Sequence, residues 1–264
     1  IKIQISRGLE RYQGFYSDVL NYALHMCGTL VIVCFAYLTK DSNKSKSAKI
    51  IPLIITIIFT AMVLFNIHHT ASYAVVLTVF LLFMLFNFKK NAITGIIFVA
   101  IFIGIGYIIG PETVNEKVLP LIETDIEVYE GEQSNEKLLH GRVGRWTRFL
   151  DYFFEKNMVV QLLGLPFTFE NPYMYIGKGV HNDFVRMLLG VGFIGITMYL
   201  IILGNLFVRL IKYKSNVQFL GLGFLSSLIL YSVSTTPLLY PTLMNIILPV
   251  ICVLALPKEV MENN

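Results

Sequence analysis

The sequence predicts an all-α protein, a polytopic transmembrane helix bundle with one large extracytoplasmic loop. Two observations carry this expectation. Of the 264 residues, 55% are hydrophobic and only 14% are charged, whereas a soluble domain carries about 25% charge. The apolar residues also gather in stretches of roughly 17 to 25, each long enough to cross a hydrocarbon core about 30 Å thick. One water-soluble globular core is thereby excluded.

In chain order the apolar windows run Val19 to Leu38, Ile50 to Asn66, Ala71 to Phe88, Ala92 to Ile109, Phe184 to Val208, Val217 to Thr236 and Thr242 to Leu256, which makes about seven spans. Residues 1–109 then hold an external N-terminal segment and four spans. Residues 110–183 form the extracytoplasmic loop with an amphipathic surface helix, and 184–264 hold three spans and a cytoplasmic C-terminus. Lys40, Lys44, Lys46 and Lys49, then Lys89 and Lys90, then Arg209, Lys212 and Lys214, then Lys258 fall in connections on one side. The positive-inside rule makes that side the cytoplasm. A chain that opens outside after being made inside has already crossed an odd number of times, so further N-terminal spans are expected before this sequence.

The cations are sorted by kind. Six of the seven arginines, Arg7, Arg11, Arg142, Arg145, Arg148 and Arg186, fall on the external side, while the cytoplasmic connections use nine lysines and Arg209. Lysine suffices as a topology signal; a planar guanidinium binds phosphate oxygens two at a time and keeps its charge beside a membrane. The structural alternative is pairing with loop carboxylates. Net charge of +4 is too small to imply nucleic acid. Cys27, Cys34 and Cys252 lie in apolar runs and read as packing residues.

The long loop divides by charge. Residues 111–136 carry eight acidic residues and only Lys117, whereas 137–178 carry six basic residues against Asp151, Glu155 and Glu170. In the acidic half the alternation of Glu123, Asp125 and Glu127 suggests a short exposed strand. In the basic half Trp146, Phe149, Leu150, Phe153 and Phe154 follow helical spacing, which predicts an amphipathic helix along the membrane surface, with Arg145 on the flank of its apolar stripe.

Asn182 or Asp183 is the expected N-cap of the span that begins at Phe184. His181 then sits just outside the helix, where the positive N-terminal dipole disfavours protonated imidazole and attracts phosphate. A cation in the first turn is electrostatically unfavourable, so Arg186 is hard to explain as a stabilising residue. His25, isolated within a span, reads as hydrogen-bonded to a neighbour. Adjacent His68 and His69 cannot easily turn both rings to one metal, and neither they nor His140 suggest a metal site or a cofactor.

Gly141, Arg142, Gly144, Arg145 and Trp146, then Leu163 and Gly164, then His181, Asn182 and Asp183, with Gly190, Gly192 and Gly195 in the next helix, resemble the O-antigen polymerase and O-antigen ligase family of membrane glycosyltransferases. In that family a large extracytoplasmic loop carries arginines and ends at a histidine followed by a glycine-bearing membrane helix. Arg11, Gly14, Phe15, Asp18 and Asn21 resemble the arginine and glycine segment that opens a span in the same family. The likeness covers about half of the chain, and its motifs are short.

The resemblance implies a multi-pass protein of the bacterial inner membrane whose active site faces the periplasm or cell exterior. It implies a glycan donor carried on undecaprenyl pyrophosphate, membrane lipid as surroundings, and chain-length regulator and flippase proteins as further partners. Cleaving the sugar–phosphate bond leaves negative charge on pyrophosphate, which arginines can receive without a metal. Arg142 and Arg145 with His181 are the catalytic candidates, and Arg7, Arg11 and Arg186 the further pyrophosphate-binding candidates. His181 takes the acceptor proton or helps hold the pyrophosphate. A polysaccharide polymerase is preferred; a ligase delivering glycan to lipid A-core, and a transporter, are the alternatives.

Overall fold

A computed structural model describes residues 2–6, 9–14, 19–39, 46–67, 70–87, 96–101, 103–104, 107, 123, 126–134, 138–165, 179–212, 216–239 and 247–256. Among the described residues, the regular secondary structure is helical apart from one N-terminal hairpin. Strands β1 (Lys2–Ser6) and β2 (Leu9–Gly14) pair antiparallel, with Gln4 opposite Arg11. The hairpin differs from the all-α expectation, and Lys2 to Ser6 alternates polar and apolar residues at the two-residue period of a strand.

The helices are α1 (Val19–Leu38), α2 (Lys46–Ile67), α3 (Thr70–Asn87), α4 (Leu138–Phe154), α5 (Met158–Leu163), α6 (Asp183–Lys212), α7 (Asn216–Ser234) and α8 (Leu248–Leu254). Among the described residues, three apolar helices are long enough to cross a membrane: α1 from Asn21, α6 and α7. That is the pattern of a multi-pass membrane protein. Shorter apolar helical stretches run Ile50–Leu64 within α2 and Ala71–Asn87 within α3. Residues 96–101 are also helical, in the fourth predicted window, while the first part of the seventh, 242–246, lies outside the described residues.

The chain forms two compact units. One comprises Ile1–Thr113, Leu206–Tyr231 and Tyr240–Asn264; the other comprises Val114–Asn205 and Ser232–Leu239. In the first, α1 packs on α2 and α3. Gly223 of α7 meets α1 so closely that an added Cβ would lie 2.9 Å from the Val31 side chain. Phe83 is fully buried, with the rings of Tyr37, Phe98 and Phe219 around it at centroid distances of 5.7 to 6.3 Å. Asn216 Nδ2 donates to the Leu38 carbonyl at 2.6 Å, satisfying one of the orphan acceptors at the end of α1. His25 Nδ1 donates to the Asn21 carbonyl at 2.7 Å, one turn back. Cys27 and Cys34 are buried, while Cys252 is exposed.

In the second unit Phe149, Phe153, Val160, Leu165, Val180 and Leu189 form the core, with Trp146, Tyr152, Val185 and Leu188 packed against it. The apolar stripe of α4 is covered by protein only in part. Phe149 and Phe153 are enclosed by α5, α6 and the segment before α6, whereas Phe154 is half exposed. The expected acidic strand is corrected. Glu123 is helical and residues 126–129 form a helical turn, with Glu130 N donating to the Ile126 carbonyl at 2.8 Å. Helical spacing in this turn buries Val128 and leaves Ile126 exposed, so the two-residue alternation does not set which side chains are covered.

Candidate functional site

The mouth of α6 is built by a helix cap. Asn182 Oδ1 accepts from Val185 N at 3.1 Å, the three-residue reach of an N-cap, and its Nδ2 donates to the Val233 carbonyl at 3.1 Å. Of the two expected caps, Asn182 fills the role. Asp183 does something sequence reasoning missed. Its side chain is completely buried; Oδ1 accepts from Arg186 Nε at 3.0 Å and Oδ2 from Leu238 N at 2.9 Å. The carboxylate therefore fastens the start of α6 to the 3-10 turn Pro237–Leu239.

Arg186 is therefore not an unexplained cation. Its carboxylate partner supplies the compensation that the helix dipole denies it. The Arg186 side chain remains 26% exposed. The i, i+3 spacing of Asp183 and Arg186 was the signal available in the sequence.

The segment preceding α6 is gripped by α4. Arg145 Nη1 donates to the Gly179 carbonyl at 3.1 Å, and Trp146 Nε1 donates to the Val180 carbonyl at 3.0 Å. Two neighbouring side chains of one helix thus hold two successive carbonyls. Arg142 lies one turn before Arg145 on α4 and is part-buried. The turn begins at Gly141, whose φ of +73° is open to glycine but costly for other residues.

His181 is exposed and has φ of +46°; among the described residues it is the one non-glycine with positive φ. Its ring folds back over Gly179, with Nε2 3.6 Å from where a Cβ on that glycine would stand. Gly179 is therefore shared: its carbonyl takes the Arg145 guanidinium and its α-carbon faces the His181 imidazole. The left-handed backbone is strained for histidine by about 1 kcal/mol, a cost held in place by the Asn182 cap and the Trp146 bond on either side.

For the two remaining predicted residues less is described. Arg11 lies in β2, in the other unit, and its side chain is not among those described; Arg7 lies outside the described residues. The structure thus brings Arg145, His181 and Arg186 to the start of α6 and places Arg142 one turn away on α4.

The glycines of the α6 motif divide by role. Gly192 has φ of +64° and breaks the helix; an added Cβ there would strike the backbone carbonyl of Leu162, and one at Gly164 would strike that of Gly190. Backbone meets backbone at this crossing, so side chains are excluded. Gly190 itself has open space where a Cβ would go.

A helical membrane protein with a charged, strained helix mouth is the class these features define. Comparison with known proteins finds no family model and no curated protein that matches the chain.

Proposed function

We propose that the chain is a membrane glycosyltransferase, a polysaccharide polymerase that moves a glycan from undecaprenyl pyrophosphate to the acceptor sugar of another lipid-linked repeat unit. The carrying observation is the meeting of imidazole and guanidinium at Gly179, held by a strained His181 backbone. Strain of that kind is retained where a side chain must point one way.

In the proposed reaction the acceptor hydroxyl attacks the anomeric carbon, the bond from that carbon to the phosphate oxygen breaks, and the pyrophosphate leaves with the bonding pair. His181 takes the hydroxyl proton or holds the pyrophosphate. Arg142 and Arg145 receive the charge, with Arg186, Arg7 and Arg11 as further phosphate ligands. Guanidiniums fixed before the charge develops need no reorganisation during the step. The mouth faces the periplasm or cell exterior in a topology of about seven spans, as the lysine-rich connections require.

The break at Gly192 favours a second reading, since transport proteins build sites at broken helices. The Leu162–Gly164 backbone lies against this break, which supports a packing role for it instead.

The test is incubation of the purified protein with a polyprenyl-pyrophosphate-linked repeat unit, following glycan length and released carrier. Elongation is expected, unaffected by a chelator and reduced about 10²- to 10⁴-fold in His181→Ala and Arg142→Ala. Unchanged elongation in both variants would overturn the site. Transfer only to lipid A-core would make the chain a ligase, and solute flux without transfer would make it a transporter.

A further inference from the structure

Several side chains around α5 are apolar, exposed and unused by the glycosyl-transfer reading. Phe154 is 51% exposed, Met158 74%, Val159 60% and Leu163 40%. They lie on one short stretch of chain, where α4 turns into α5. This stretch lies beside a second apolar surface: the rings of Phe153 and Phe154 stand 5.9 and 6.1 Å from that of Phe193 in α6, and Leu162 and Gly164 touch the α6 backbone at Gly192 and Gly190.

The level of that crossing along α6 can be read from the helix itself. From Phe193 to Lys212 the helix covers about 30 Å, the thickness of a hydrocarbon core. The exposed large apolar residues of α6 begin at Val191, Phe193 and Ile194 and continue to Ile211. Before them, Phe184, Val185, Met187 and Leu188 are part-buried and Leu189 is buried. The surface of α6 therefore changes character at Gly192, and the α4–α5 turn meets it at that height.

The turn also satisfies its own backbone. Gln161 Nε2 donates to the Phe154 carbonyl at 2.9 Å and to the Lys156 carbonyl at 2.8 Å, while Asn157 Oδ1 accepts from Val160 N at 3.1 Å. Acyl chains offer no hydrogen bonds, so a segment that meets them must supply its own partners. Lys156 Nζ lies over the Tyr152 ring at 4.1 Å, and its long apolar stem lets an ammonium reach headgroup level.

We propose that the turn from Phe154 to Leu163 is a lipid-inserting wedge, seated in the leaflet nearest the start of α6 with Met158 and Val159 among the acyl chains. Its partner is the bilayer surface, which continues from the exposed face of α6 onto α5 without an intervening charged residue between Met158 and Leu163. The proposal rests on α6 crossing the membrane and is independent of the glycosyl-transfer chemistry.

The test uses the full chain in lipid nanodiscs. Val159→Trp adds one tryptophan to Trp146, whose emission is subtracted using the unsubstituted protein. The added emission is expected to fall by about twofold or more in nanodiscs of lipids brominated on their acyl chains, and to resist acrylamide. Arg148→Trp, at an exposed position nearer the start of α4, should respond to acrylamide instead. Met158→Trp gives the same readout should the Val159 variant fold poorly. Quenching of both wedge tryptophans by acrylamide but not by brominated lipid would overturn the proposal. Shielding from both quenchers that disappears on dilution would also overturn it, by assigning the face to a second copy.

Discussion

The two units bury polar groups in different ways. In the first, the Tyr231 hydroxyl is enclosed with the Ser72 hydroxyl at 2.7 Å and the Cys27 sulfur at 3.7 Å. These groups are neutral and satisfy one another, so their burial costs little and ties α7 to α3 and α1. In the second, the buried group is the Asp183 carboxylate, which needs both the Arg186 guanidinium and the Leu238 amide. A buried carboxylate is costly unless fully paired. The bundle therefore uses polar contacts as glue, whereas the helix mouth uses them to fix charge in a defined place.

The glycines give the largest expected contrast between the units. Gly192→Ala should cost about 3 kcal/mol or more, because rigid backbone and a positive φ both oppose it. Gly223→Ala, where the neighbour is the Val31 side chain, should cost about 1 to 2 kcal/mol. Thermal unfolding in one detergent compares them; equal losses would dissolve the distinction between a backbone crossing and ordinary helix packing.

Next come the buried polar groups. Asp183→Ala should destabilise by about 3 kcal/mol, since it strands Arg186 and the Leu238 amide. Tyr231→Phe should cost about 1 kcal/mol, the worth of a neutral hydrogen bond. Chemical denaturation of both variants separates a paired charge from a hydroxyl contact, and a larger loss at Tyr231 would reverse the assignment.

The smallest expected effect has the opposite sign. His181→Gly relieves the left-handed strain and should raise stability by about 0.5 to 1 kcal/mol, while abolishing glycan elongation. A stabilised variant that remains fully active would make the strain incidental to function.

The helical parts were legible because long apolar runs carry their own signal: the expected bounds of the first span, Val19 to Leu38, coincide with α1. The helix cap at Asn182 was legible from residue type and position. Burial of Phe149 and Phe153 in α4 was not, because a sequence pattern shows that a face is apolar and not whether protein or lipid covers it. The Asp183–Leu238 bond joins residues far apart in sequence, and no local rule reports such a contact. The hairpin carries only a weak sequence signal, the five-residue alternation from Lys2 to Ser6.

Affinity for a polyprenyl pyrophosphate, measured in nanodiscs without divalent metal, tests the proposed phosphate-binding role of the arginines most directly. Arg142→Ala and Arg145→Ala should each weaken binding by about tenfold or more, with Arg145→Lys recovering only part of the loss because lysine lacks the two-pronged fork. Arg209→Ala, in the last turn of α6, should leave binding unchanged. Equal affinity in all four variants, or a loss at Arg209 matching those at Arg142 and Arg145, would contradict a pyrophosphate site at the α6 mouth.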